Sequence, residues 1–98
     1  MTHKFSILVV DDEFIVRDSL SKWFTQDGYK VGVAENAAQA LKLMNEGPWD
    51  IIFIDIKMPG MDGLELQKRI KEIDPNAIII IITAFASVDS AVQALKEA

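Results

Sequence analysis

The sequence predicts an α/β fold, a parallel sheet with helices wound over both faces. Three observations lead there. Short apolar runs rich in β-branched residues recur at SILVV (Ser6–Val10), IIFI (Ile51–Ile54) and AIIIIIT (Ala77–Thr83). Stretches with helical spacing lie between them, and turn formers such as Asp27-Gly28, Gly47-Pro48 and Asp74-Pro75-Asn76 punctuate the order. Strands alternating with helices of this length imply parallel pairing through helical crossovers.

Each element follows from local pattern. Ser6–Val10 reads as a first buried strand. From Glu13 to Asp27 the spacing is helical, with Val16, Leu20, Trp23 and Phe24 on one face and Arg17, Asp18, Ser21 and Lys22 facing away. Gly28 stops that helix as a left-handed cap. Tyr29–Ala34 alternates, Tyr29, Val31 and Val33 against Lys30 and Gly32, as a half-exposed edge strand does. Asn36 can cap the second helix, and Gln39 completes a capping-box pattern. Its buried stripe is Ala37, Ala40, Leu41 and Met44, and Gly47-Pro48 ends it. Ile51–Ile54 is a strand apolar on both faces. Asp62, with Glu65 as box partner, opens a third helix whose inner face is Leu66, Ile70 and Ile73. Ala77–Thr83 is the fourth strand, and Ser87 caps a fourth helix with the stripe Val88, Ala91, Val92 and Leu95.

The first, third and fourth strands are apolar throughout and belong inside the sheet; the alternating second belongs at its edge. The order 2-1-3-4 with right-handed crossovers satisfies this. It is the flavodoxin-like, doubly wound order with the fifth strand and fifth helix missing. Residues 1–98 read as one domain, with no linker or repeat.

Composition narrows the function. With no cysteine, disulfides and zinc–thiolate centres are excluded. His3, the single histidine, lies in a polar N-terminal stretch and reads as solvated. A net charge of -5 argues against direct nucleic-acid contact and leaves the surface for protein partners. The longest apolar run, Ala77–Ile82, is too short to cross a membrane, and no signal-peptide pattern opens the chain. A cytoplasmic location is expected.

In a sheet of this order ligands sit beyond the carboxyl ends of the strands, where strand order reverses. That point falls between the first and third strands. The first ends in Asp11-Asp12-Glu13 and the third in Asp55. Taken alone, Asp11 or Asp12 reads as a helix N-cap, Asp55 equally as a turn cap or a functional acid, and Thr83 as an ordinary strand end. Their coincidence on one edge points elsewhere. Carboxylates so close repel unless a cation intervenes. A few oxygen ligands suit Mg2+, which keeps water and takes one or two carboxylates. Calcium would want more protein oxygens than this.

With these residues placed, the chain resembles the receiver domain of two-component response regulators. The likeness rests on ILVVDDE (Ile7–Glu13), DIIFIDIKMPGMDGLEL (Asp50–Leu66) and IIIITAFAS (Ile79–Ser87), and runs over essentially the whole chain. TAFASVDSAVQALKEA (Thr83–Ala98) is similar to receivers of enhancer-binding transcriptional activators. The resemblance implies that Asp55 is a phosphoacceptor for a histidine kinase. It implies Mg2+ held by Asp12, Asp55 and the backbone carbonyl of Lys57, with Asp11 acting mainly through water. It makes Thr83 the switch hydroxyl, and lets the backbone N–H of Ala84 reach the phosphoryl group. The fourth helix and Phe85–Ser87 become the readout surface, while Lys57 and Phe85 overhang the phosphoryl group. A signalling module is implied, with at most self-catalysed phosphorylation and dephosphorylation, upstream of an output domain that is a transcriptional activator.

The family carries a lysine at the end of a fifth strand, and Lys96, on a helix, does not replace it. The chain is therefore expected to be a C-terminally truncated receiver with impaired phosphotransfer. Its strand 77–83 would form an apolar edge that pairs two copies as a homodimer or strand-exchanged assembly. A phosphorylation-independent interaction or dimerisation module is the alternative reading. An aspartyl-nucleophile phosphohydrolase is disfavoured, because the general-acid position two residues after Asp55 holds Lys57.

Overall fold

The structure, a computed structural model, describes residues 5–55 and 63–82. The element order is β1 (Ser6–Val10), α1 (Phe14–Gln26), β2 (Lys30–Ala34), α2 (Ala37–Glu46), β3 (Ile51–Asp55), α3 (Gly63–Ile73) and β4 (Ile78–Ile82). All strands pair in parallel in the order β2-β1-β3-β4, as expected from their apolarity. The expectations for Lys57, the Asp62 cap, Thr83, Ala84, Phe85 and the helix from Ser87 lie outside the described residues.

Side chains alternate across the sheet, so Leu8, Val10, Ala34, Ile52 and Ile54 fall on one face. There they meet Ala37, Ala40 and Met44 of α2 and Leu66 and Ile70 of α3 in the main core. Trp49 closes this core. Its ring lies over Gly32, where an added Cβ would stand 2.5 Å from Cη2. Its indole N–H donates to the Leu43 carbonyl at 3.0 Å, and Lys30 Nζ lies 5.3 Å from the ring. Gly32 in the edge strand is thus a place for a ring.

The other face carries Ile7, Val9, Ile51 and Phe53, and α1 packs there through Phe24, whose ring lies 5.4 Å from that of Phe53. The predicted inner face of α1 needs correction. Trp23 is 65 % exposed, and Arg17, expected to face away, is nearly covered. At about 100° per residue, Trp23 lies roughly 100° round the helix from the Arg17–Phe24 line. The helix is turned so that this line meets the sheet. Val16 and Leu20 are half-buried, and no residue of α1 is fully buried.

Smaller corrections concern ends. Val33 is exposed while Ala34 is buried, because Ala34 faces the main core. Ile73, at the last turn of α3, is exposed instead of completing its inner stripe. The C-terminus of α1 is a Schellman motif: Tyr29 N–H donates to Phe24 O at 3.1 Å and Gly28 N–H to Thr25 O at 3.0 Å. Gly28 has φ 91°, and the Tyr29 and Phe24 rings meet edge to face. At α2 the Asn36 side chain accepts from Gln39 N–H at 2.8 Å. The Gln39 amide oxygen reaches back to Glu35 N–H, one residue earlier than in the standard box.

No helix among the described residues is long and apolar enough to cross a membrane.

Candidate metal centre

The ends of β1 and β3 lie side by side, since Val10 pairs with Ile54. The next residue on each chain is therefore brought to one place. Asp11 leaves β1 with its N–H still bonded to Ala34 O of β2 at 3.1 Å. Asp55 is the last residue of β3, in register with Ile82 of β4. One carboxylate oxygen from each of Asp11, Asp12 and Asp55 lies within 4.8 Å of the others. Asp55 is 0 % exposed and Asp11 2 % exposed, while Asp12 faces solvent. The three acids read from the strand tips thus converge.

Neither Asp11 nor Asp12 is the N-cap of α1. That position belongs to Glu13, whose side chain makes no capping bond. Asp11 Oδ1 instead accepts the Glu13 N–H at 2.8 Å, an Asx-turn at the start of the loop. The Asp11 carbonyl accepts from Arg17 Nη1 at 2.8 Å. This contact was not anticipated. Only a shorter apolar stripe than the one assumed could have hinted that Arg17 turns inward.

The electrostatics follow from burial. Desolvation pushes the Asp11 carboxyl above its ordinary range; the Glu13 N–H opposes this, and the charges of Asp55, Asp12 and Glu13 add to the rise. Such a group gains from a neighbouring cation.

The donor set fits a small hard ion. It is all oxygen, it carries up to three negative charges, and one side opens to solvent through Asp12. Oxygens gathered this closely could share one such ion, with water filling the positions that the protein leaves open. Lys57, Thr83 and Ala84, the remaining expected site residues, are outside the described residues.

The model of the response regulator receiver domain matches residues 7–98. The chain is 42 % identical over 91 residues to sporulation initiation phosphotransferase F of Bacillus subtilis, covering 93 % of this chain and 73 % of that protein. It is 44 % identical over 94 residues to the transcriptional regulatory protein ZraR of Klebsiella oxytoca, covering 92 % of this chain and 20 % of that one. The chain therefore spans about a fifth of ZraR. Among solved structures, the Thermotoga maritima response regulator TrrA in complex with Mg(2+)-BeF superposes with a TM-score of 0.78 at 37 % identity, over 94 % of this chain and 80 % of that one. A chain of the solved complex of histidine kinase ThkA with response regulator TrrA matches with the same TM-score at 31 % identity, over 96 % of this chain and 97 % of that one.

Proposed function

The chain belongs to the response regulator receiver domain family, and from that premise we propose that it accepts a phosphoryl group from a histidine kinase on Asp55. The observation that carries this reading is the fully buried Asp55 carboxylate, at a strand end, within 4.8 Å of two other carboxylates. A buried acid so placed has little to do as a turn cap. TrrA, of similar fold, forms a complex with a histidine kinase, which supports the same class of partner here.

An oxygen of Asp55 attacks the phosphorus of a phosphohistidine. The new O–P bond forms as the N–P bond breaks, and the imidazole nitrogen keeps the electron pair and takes up a proton. Asp12, Asp55 and the Lys57 carbonyl would hold Mg2+ directly, with Asp11 acting through water. When bound, the ion offsets the charge between nucleophile and phosphoryl oxygens. Asp11 and Glu13 keep the β1–α1 loop folded through the Glu13 N–H to Asp11 Oδ1 bond, and the apolar neighbours of Asp55 in β3 exclude water from its base. Thr83 and the Ala84 N–H bond the transferred group; one charge-assisted bond contributes about 1.5–3 kcal/mol to the switched state. The chain acts as a phosphoacceptor, not a turnover enzyme, in the cytoplasm. Its output is transcriptional activation through a further domain of the kind that the length of ZraR suggests.

Incubation with acetyl phosphate and magnesium, read by intact mass, tests the proposal. One phosphoryl adduct is expected, absent in Asp55→Asn and without magnesium. An adduct that survives Asp55→Asn sinks the assignment.

A second reading has its own observation. β4 is the last strand of the sheet among the described residues, and its Ile78 and Ile80 are 57 % and 40 % exposed. A homodimer or strand-exchanged pair through residues 77–83 would cover them without any phosphorylation.

A further inference from the structure

Asp12 poses a problem of placement. It is exposed, so no packing holds its side chain, yet its carboxylate stands with those of two buried acids. Its position must come from the backbone. The peptide joining Asp11 to Asp12 is planar, so the direction of the Asp11 carbonyl sets the plane from which Asp12 springs. That carbonyl accepts from Arg17 Nη1 at 2.8 Å.

Arg17 is built for this contact. Its side chain is only 14 % exposed, although it lies on a helix with no fully buried residue. Its guanidinium carbon lies 5.8 Å from the centre of the Phe14 ring, and its Nη2 is 3.9 Å from Glu35 Oε2, just beyond β2. A guanidinium fork holds two such directions in one fixed plane, whereas an ammonium is a point charge on a flexible stem. Two other polar groups of Asp11 are also engaged, its N–H with Ala34 O and its Oδ1 with Glu13 N–H. Arg17 therefore completes a three-point clamp on the residue before the exposed ligand.

We propose that Arg17 is a positioning residue of the metal centre: through the Asp11 carbonyl it orients the Asp11–Asp12 peptide, so that the Asp12 carboxylate meets Asp55. This rests on reading the cluster as a Mg2+ site. Groups that orient metal ligands from behind are worth roughly tenfold to a hundredfold in affinity. Glu35 is 55 % exposed and only loosely engaged, so it contributes little.

Mg2+ titration by calorimetry on wild type, Arg17→Ala, Arg17→Lys and Glu35→Gln is the test. Thermal unfolding and Glu13 amide exchange are followed alongside without metal. Arg17→Ala is expected to bind Mg2+ at least tenfold more weakly and to expose the Glu13 amide to faster exchange. Arg17→Lys should recover part of the affinity by donating to the same carbonyl, and Glu35→Gln should stay near wild type. Wild-type binding with a folded Arg17→Ala within twofold of it overturns the role of Arg17. If Arg17→Ala does not fold, Arg17→Lys decides, and unchanged affinity there together with unchanged Glu13 exchange overturns it. Failure of the wild type to bind Mg2+ overturns the site itself and is distinguishable from both.

Discussion

Asp11 carries a conflict that a proton or a cation relieves. Burial and three acidic neighbours push its carboxyl upward, so the folded chain holds the Asp11 proton more tightly than the unfolded chain does. Its contribution to metal-free stability is therefore full below the unfolded carboxylate range near pH 4 and is lost as pH rises through the higher folded value. Asp11→Asn keeps the oxygen that accepts from Glu13 N–H and removes the charge. In chelator, Asp11→Asn should unfold at a higher temperature than wild type at pH 7, and the Asp11 part of the pH dependence should vanish. The gain from magnesium, about 2.7 kcal/mol at a hundred times the dissociation constant for an intact site, should shrink. A metal-free Asp11→Asn protein less stable than wild type at neutral pH would refute the account. The acids themselves were legible through coincidence: singly each reads as a cap, but acids end two neighbouring apolar strands on the same edge of the sheet. Arg17 was not legible: an arginine on a surface helix reads as solvated until a backbone acceptor appears. Trp49 was missed for a similar reason, since nothing in a lone tryptophan after Gly47-Pro48 says that it lies over Gly32, on the far side of α2 in sequence.

At the scale of elements, ends were easier to read than faces. Gly28 and Asn36 announced the close of α1 and the start of α2 through backbone chemistry that acts within a few residues. The rotation of α1 about its axis depends on what it lies against, and there the reading put Trp23 inward and Arg17 outward. The packing of half-buried Phe24 against Tyr29 and Phe53 decides the matter in the folded chain. The same junction yields a test. Gly28 holds φ 91° while its N–H and that of Tyr29 close the last turn. An alanine there must adopt a left-handed backbone at about 1–2 kcal/mol. Gly28→Ala is expected to lower the unfolding free energy by that amount in urea titration, which is several degrees for a domain of this size. The metal centre lies at the opposite end of α1, so Mg2+ affinity should not change. Equal stability of the two proteins would mean that the turn does not need its left-handed residue.

Across the whole molecule, the strand order was legible because apolarity ranks strands by depth: β2 alternates and lies at the edge, while β1 and β3 are apolar and lie inside. β4 breaks the ranking. It is as apolar as β3, yet it is an edge among the described residues, with Ile78 and Ile80 exposed on the face that α1 shares. Register places Ile78 beside Ile51 and Ile80 beside Phe53, so the exposed groups continue a row that α1 covers at Phe53. An apolar edge of this kind recruits a strand, and a lysine on it is the common means of preventing that. Ile80→Lys leaves the main core untouched, because Ile80 faces away from α2 and α3. If two copies pair through residues 77–83, sedimentation at micromolar concentration should show wild type as a dimer and Ile80→Lys as a monomer, both taking up one phosphoryl group from acetyl phosphate. The cation site would be indifferent to the change, since it is assembled from the tips of β1 and β3. A folded wild-type monomer at that concentration removes the pairing and leaves the Asp55 chemistry standing, because the two claims rest on different edges of the same sheet.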